Sequence, residues 1–264
     1  MKKFLVIGNP IEHSLSPKLH NYWIKKNNIK GNYEKLKMKS ENLEKVIKDI
    51  KAEKLHGINV TVPFKSEIIK YLDELSEEAK KAFSVNTIYK VDDKIVGHNT
   101  DITGFELAIR HTKYDIQGKN VLILGAGGVV SSIILALKNL RVSKINLMNR
   151  TYEKALNLKK RFNEIEIKRW GESCYFDMVI NATSLGLKKD DKINIDYEGI
   201  GENKFFYDVI YNPLETKFLK EAKKNFHRTE NGKMMFIYQA HLSFTLWHKI
   251  MPEINDEVKQ IIIE

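Results

Sequence analysis

Residues 121–130 read VLILGAGGVV, and the reading of this stretch decides the fold. Four apolar residues without polar alternation predict a parallel strand buried on both faces. The strand is expected to stop at Gly125, with Gly127 and Gly128 giving a tight turn. A helix then begins through Ser131, Ser132, Ile133 and Leu135. Unpaired amides at a helix start, together with the helix dipole, favour a phosphate group. Strand, glycine turn and helix in that order make the phosphate-binding unit of a dinucleotide fold. A tight turn selects glycine by itself, so the next strand carries the weight. That strand, residues 144–148, ends in Asn149-Arg150-Thr151. NAD-binding folds place an acidic residue about 20 positions on, where it holds the ribose 2′-hydroxyl. Here Arg150 stands instead, a planar cation suited to a 2′-phosphate. The expected cofactor is NADP.

The whole chain has 264 residues, enough for two domains with sizeable cores. Cys174 is the only cysteine, which excludes an internal disulfide and fits a cytoplasmic protein. No apolar run approaches a membrane span, and the apolar start at residues 4–7 is too short for a signal peptide. The net charge of +10 invites a nucleic-acid reading. The lysines, however, are scattered along helix faces beside acidic residues, with no aromatic interleaving, and read as a solvated surface. Such a field still attracts anionic substrates.

Before the glycine stretch, strand and helix signals alternate. Residues 4–7 are an apolar run, and the polar loop GNPIEHSLSPKLHN follows at residues 8–21. Residues 33–38 alternate, Leu43, Val46, Ile47 and Ile50 share a helical face, and a strand at 55–62 runs into Pro63. This rhythm predicts a parallel-cored α/β layer. In the loop, Ser16 is the expected N-cap and Pro17 the first helical residue. That leaves Ser14 over, and two hydroxyls beside helix-start amides would also make a small carboxylate site. His13 and His20 are expected to hold the loop by hydrogen bonds; with no carboxylate or Cys cluster beside them, no metal site is expected. Asn59 and Thr61 share a face of the strand end, and Lys65 is expected to open the next helix, beyond the strand's carboxyl end. Val85-Asn86-Thr87 and residues 97–101 follow two further short strands, with Asp101 capping a helix over 102–110.

After Arg150, a strand at 177–181 ends in ATSLG, whose turn, with Thr183, is expected to face the nicotinamide. Another at 204–209 precedes YNPLET, residues 211–216. A long apolar helix follows Asn231-Gly232 and continues through Trp247, and residues 254–263 form a last one. Lacking strand partners, these terminal helices are expected to pack back across the first domain. Gln239, polar on a largely apolar face, needs a partner. The expected organisation is an α/β substrate domain, 1–101 completed by 235–264, and a Rossmann-type dinucleotide domain, 102–234.

The blocks HSLSP (13–17), NVTVPFK (59–65), VNT (85–87), NTD (99–101), GAGG (125–128), NRT (149–151), NATSLG (181–186), YNPLET and the NG-to-Gln239 segment occur in this order. Together they resemble the shikimate dehydrogenase family over nearly the whole chain. The resemblance implies NADPH-dependent reduction of 3-dehydroshikimate to shikimate in aromatic amino-acid biosynthesis. It implies that Ser14 and Ser16, assisted by Tyr211, hold the substrate carboxylate, and that Asn59, Thr61, Asn86 and Gln239 surround the ring hydroxyls. Lys65 and Asp101 would flank the reacting carbonyl. Gly125, Ala126, Gly127 and Gly128 would take the pyrophosphate, Asn149, Arg150, Thr151 and Lys154 the adenosine phosphate, and Gly232 would lie by the nicotinamide. A lone enzyme of this kind is expected as a monomer or homodimer, with no nucleic-acid or membrane partner.

Three positions depart from the family pattern. Val130 stands where a small residue is usual, Phe83-Ser84 where Gly-Ala is common, and Leu187 where methionine is usual. Two other readings compete. A quinate/shikimate dehydrogenase using NAD usually carries an acidic residue just after the NR pair, where this chain has Thr151 and Tyr152. A non-catalytic NADP-binding regulator would not need Lys65 and Asp101, which are both present.

Overall fold

A computed structural model of the chain describes residues 1–197 and 199–262. Its contacts divide the chain into two units, Met1–Gly104 with Ile237–Glu264, and Phe105–Phe236. The first unit begins with β1 (Lys2–Gly8), α1 (Ser16–Lys26), β2 (Gly31–Lys37), α2 (Leu43–Lys51) and β3 (Gly57–Val60). β4 (Glu74–Leu75), α3 (Glu77–Ala82), β5 (Thr87–Val91), β6 (Lys94–His98) and the start of α4 (Asp101–His111) follow. The strand order is β2-β1-β3-β5-β6-β4. β1 is parallel to β2 and β3, as the alternating rhythm predicts, and Leu43, Val46, Ile47 and Ile50 of α2 are all buried. Burying each of these side chains contributes roughly 1.5–3 kcal/mol before chain entropy is counted.

Several local readings are corrected here. β5 runs antiparallel to both β3 and β6. The two-residue connection Asp92-Asp93, with Asp92 at φ 50°, allows only a hairpin. Asn86 therefore leads into β5 instead of following a strand. β3 ends at Val60, and Lys65 lies in a turn that enters a short 3-10 helix, Glu67–Tyr71, instead of opening an α-helix. α1 begins at Ser16 with Leu15 as N-cap, so Pro17 is its second residue. The capping contact comes from Ser14, whose Oγ accepts the Ser16 amide at 3.3 Å. His20 makes no hydrogen bond through either ring nitrogen. It lies flat on Tyr33, ring centroids 4.3 Å apart, and burial pushes its pKa down to about 3, so it serves as a neutral aromatic. Phe83 closes α3 in the left-handed region at φ 48°, where a glycine would sit without strain.

The second unit contains β7 (Asn120–Leu124), α5 (Val130–Asn139), β8 (Lys144–Met148), α6 (Tyr152–Lys159), β9 (Glu166–Lys168), β10 (Met178–Asn181), β11 (Phe205–Asp208), α7 (Lys217–Lys224) and β12 (Arg228–Glu230). All its strands pair in parallel, in the order β12-β11-β10-β7-β8-β9. This is the doubly wound dinucleotide order, and it reverses between β7 and β10, where such sheets open a crevice for ligands. Val130 is fully buried at the first turn of α5, so the departure from a small residue is absorbed in packing.

α8 (Lys233–His248) starts in the second unit and belongs to the first from Ile237 onward. α9 (Asp256–Ile261) is shorter than the expected 254–263, of which Ile263 lies outside the described residues. Both helices complete the first unit. Trp247 Nε1 donates to the Ile88 carbonyl at 3.2 Å, and Gly57 leaves room for the indole, since a Cβ there would lie 2.5 Å from Nε1. Trp23 Nε1 of α1 donates to the Glu253 carbonyl at 3.1 Å. Among the described residues no helix is long and apolar enough to cross a membrane.

Candidate active site

In the first unit, Lys65 is buried in the turn after β3, anchored by the fully buried ring of Phe64 and by its own carbonyl, which accepts the Val85 amide at 2.8 Å. Its Nζ lies 2.6 Å from Asp101 Oδ2. The other carboxylate oxygen accepts from Asn86 Nδ2 at 3.0 Å. Asp101 is the first residue of α4, where the dipole favours a negative charge. It is thus a helical residue and not the expected N-cap, and the Ile102 amide donates to Asn99 Oδ1 at 3.2 Å. The Asp101 carboxylate is shared between the Lys65 ammonium and the Asn86 amide. Asn86 also donates to Gln239 Oε1 at 3.4 Å, giving that glutamine the partner its position requires. Gln239 reaches this place because α4 carries Gly104, where a Cβ would come 2.9 Å from Gln239 Cβ.

Asn59, on the strand face it was expected to share with Thr61, is buried. Its Oδ1 accepts from Tyr33 OH at 2.7 Å, and its Nδ2 donates to the Asn86 carbonyl, Thr87 Oγ1 and Ser243 Oγ at 3.0–3.1 Å. Ser243, fully buried, sits 2.7 Å from Thr87 Oγ1 and 3.2 Å from Thr100 Oγ1. A buried polar network joins the segments carrying Asn59, Asn86 and Gln239. Thr61 is half-buried at the strand end, where Gly8 gives it space. Ser16 is buried and Ser14 half-buried, and accepting the Ser16 amide leaves the Ser14 hydroxyl proton free to donate. Their loop is tied to β2 by Lys37, whose Nζ lies 2.7 Å from Glu12 Oε1 and holds that carboxyl down to about 2.

In the second unit the turn after β7 has a different glycine logic from the expected one. The glycine that must be glycine is Gly125, at φ 113°, where a Cβ would lie 2.7 Å from the Ala182 carbonyl oxygen. Gly127 needs neither a left-handed backbone nor space, since a Cβ there would meet only that same oxygen at 3.9 Å. It is exposed, and α5 begins behind it with Val129 as N-cap and no side-chain capping bond. An uncapped helix start behind an open glycine fits a pyrophosphate. Ala126 and Gly128 complete the turn. At the end of β8, Asn149 Nδ2 donates to the Thr151 carbonyl at 2.7 Å, while Arg150, Thr151 and Lys154 are exposed. Thr183 is tied to Asn181 Oδ1 through its amide at 3.1 Å and its hydroxyl at 2.7 Å. Gly232 admits no side chain, since a Cβ would lie 2.1 Å from the Val209 oxygen. Tyr211 stacks on Phe236 with centroids 4.3 Å apart. Among the described residues no three His, Cys, Asp or Glu side chains group as a metal site.

Asp208 was not singled out from the sequence, yet it organises two loops. Its fully buried carboxylate accepts from Asn181 Nδ2 at 3.1 Å, the Ile210 amide at 3.0 Å and Thr216 Oγ1 at 2.6 Å. Burial without a cation pushes it up to about 6 from the ordinary 3.8. The folded state therefore holds this proton more tightly than the unfolded chain. The stability it contributes is complete below about pH 4 and is lost as pH rises through about 6. Asp208→Asn removes that titration. Relative to this variant, the parent is expected to lose about 2 kcal/mol between pH 4 and 6. Denaturant unfolding at both pH values measures the difference; parallel curves would refute it.

Two family models match the chain: the shikimate dehydrogenase substrate binding domain over residues 6–88, and shikimate / quinate 5-dehydrogenase over residues 106–185. A shikimate dehydrogenase (NADP(+)) of Pelagibacter ubique is 61% identical over 261 residues, covering 99% of this chain and 98% of that protein. The chain belongs to the shikimate dehydrogenase family. A family member of Caldanaerobacter subterraneus is 38% identical over 93% of this chain and 91% of that one. Among solved structures, the shikimate dehydrogenase of Aquifex aeolicus matches with a TM-score of 0.91 at 34% identity, covering 100% of this chain and 98% of that one. That of Thermus thermophilus, in complex with NADP(H) and shikimate, matches with 0.89 at 30%, covering 99% and 98%. Set against the family's blocks, Thr87 and Thr100 lie inside VNT and NTD and could have been read as part of the site. Ser243 shares a helix face with Gln239, four residues on. Tyr33 carried no such signal.

Proposed function

We propose that this chain reduces 3-dehydroshikimate to shikimate with NADPH, as a cytoplasmic monomer or homodimer. The observation that carries the reading is the buried Lys65–Asp101 pair, 2.6 Å apart, with Asn86 and Gln239 beside it. NADPH supplies the hydride when bound. Hydride addition to a ketone leaves negative charge on oxygen, so a cation able to give a proton stabilises the transition state. Lys65 Nζ is that group. It stabilises the growing alkoxide and donates the proton that completes the alcohol, while Asp101 orients the ammonium. The hydroxyls of Ser14, Ser16 and Tyr211 would bind the substrate carboxylate, and Thr61, Asn86 and Gln239 the ring hydroxyls. Asn59, held on both sides of its amide by protein groups, would act mainly by shaping that surface. On the cofactor side, residues 125–128 would take the pyrophosphate, Asn149, Arg150, Thr151 and Lys154 the 2′-phosphate end, and Thr183 and Gly232 the nicotinamide end.

The direct test is shikimate-dependent reduction of NADP followed by absorbance; no turnover would refute the assignment. Quinate makes a sharper comparison. It adds a hydroxyl at the carbon bearing the carboxylate, where Ser14, Ser16 and Tyr211 are proposed to grip. A buried polar group left unpaired costs about 1–3 kcal/mol, and size alone discriminates weakly. Shikimate is expected to exceed quinate by at least about tenfold in kcat/KM at saturating NADP. Comparable turnover would favour the broader quinate-using relative.

A further inference from the structure

The reading of the nucleotide end names residues after β8 only, yet the neighbouring strand contributes a cation to the same sheet edge. β8 and β9 are parallel with Met148 opposite Lys168, so Asn149-Arg150-Thr151 and Arg169-Trp170 leave the sheet side by side. Paired strands lie about 4.8 Å apart, well within the reach of an arginine side chain. Arg169 is exposed, and its guanidinium carbon lies 5.9 Å from the ring centroid of Tyr152, the residue that follows Thr151 and opens α6. The two carboxylates nearest in sequence are already engaged, and Glu166 Oε2 lies 2.8 Å from Lys144 Nζ. Glu172 Oε2 accepts the Arg169 backbone amide at 2.9 Å, and its Oε1 lies 3.2 Å from Lys168 Nζ. Among the described residues no ion pair engages the Arg169 guanidinium. A guanidinium resting on an aromatic face keeps its N–H fork directed outward for a planar or tetrahedral anion. The turn also carries one exposed acid, Glu153, in the first turn of α6, which a second arginine would offset.

We propose that Arg169 is a specificity-determining residue for the cofactor, donating to the ribose 2′-phosphate from the strand beside Arg150, with Tyr152 as the platform that holds it. This rests on the reading that the chain uses NADP. The chemistry recognised is a phosphomonoester on a ribose, and free phosphate would offer the same oxygens without the nucleoside. Isothermal titration of the full chain with 2′,5′-ADP, 5′-AMP and inorganic phosphate separates these ligands without needing turnover. Arg169→Ala is expected to weaken 2′,5′-ADP about tenfold and to leave 5′-AMP within about twofold. Arg169→Lys, which keeps the charge and loses the planar fork, should fall between. Because Arg169 is exposed, the thermal midpoint should not move. An unchanged 2′,5′-ADP affinity, an equal loss on 5′-AMP, or a loss matched by free phosphate would overturn the assignment of Arg169. Parent protein that binds 2′,5′-ADP and 5′-AMP equally would overturn the NADP reading and this inference with it.

Discussion

Replacing Lys65 with alanine is expected to lower kcat by about 10²–10⁴ while changing the KM for shikimate far less. The ammonium does most where charge develops on the substrate oxygen, and that charge is small in the bound ground state. Geometry supports a dedicated role, since Lys65 is buried against Asp101 at 2.6 Å and Asn86 holds the other oxygen of that carboxylate. Removing the lysine also takes the cation from the buried Asp101 carboxylate, and an unpaired buried charge is costly. Circular dichroism must therefore accompany the kinetics. Asp101→Asn, which keeps the shape and the Asn86 contact possible, should give a loss in kcat of the same sign. A Lys65→Ala protein with normal kcat and raised KM would reduce Lys65 to a binding residue.

NADP is expected to exceed NAD by at least about tenfold in kcat/KM, and Arg150→Ala to erase most of that preference. Charge-assisted hydrogen bonds to a phosphate contribute roughly 1.5–3 kcal/mol each. The exposed Arg150 and Thr151 follow β8 at the place where an NAD-binding sheet would carry a carboxylate. Kinetics with both cofactors at low ionic strength and again at high salt check the electrostatic origin, because screening should narrow the ratio. Equal use of the two cofactors by the parent protein would sink the assignment.

Much of this was legible in the sequence where a local pattern decides the outcome. The apolar run 121–124 followed by Gly125 reads as a buried strand and its turn, and Leu43, Val46, Ile47 and Ile50 spell one helix face. The corrections arise where distant contacts choose among local options. Glycine at 125, 127 and 128 looks alike in sequence, yet the carbonyl of Ala182, more than fifty residues on, is what makes Gly125 strict. His20 has the donors and acceptors to tie a loop, but Tyr33 and Trp23 enclose it and leave it a packing residue. Asn59 was legible as a residue sharing a strand face with Thr61, but not as one enclosed by Tyr33, Thr87 and Ser243, which come from three other segments. Asp208 carried no motif, because its role depends on two loops meeting its carboxylate.

The first unit is built from the two ends of the described chain, with the second threaded between them. During synthesis, residues 1–104 emerge without the helices that cover them. The indole of Trp247 and the hydroxyl of Ser243 arrive only after the whole dinucleotide unit has been made. Domains fold as units when their sequence is contiguous, so the middle unit is free to form while the first still waits, its apolar sheet face open to solvent. A nascent or prematurely ended chain can thus hold cofactor-binding parts without a finished place for substrate. Ribosomal pausing between residues 104 and 237 would lengthen the interval in which that face is a target for chaperones.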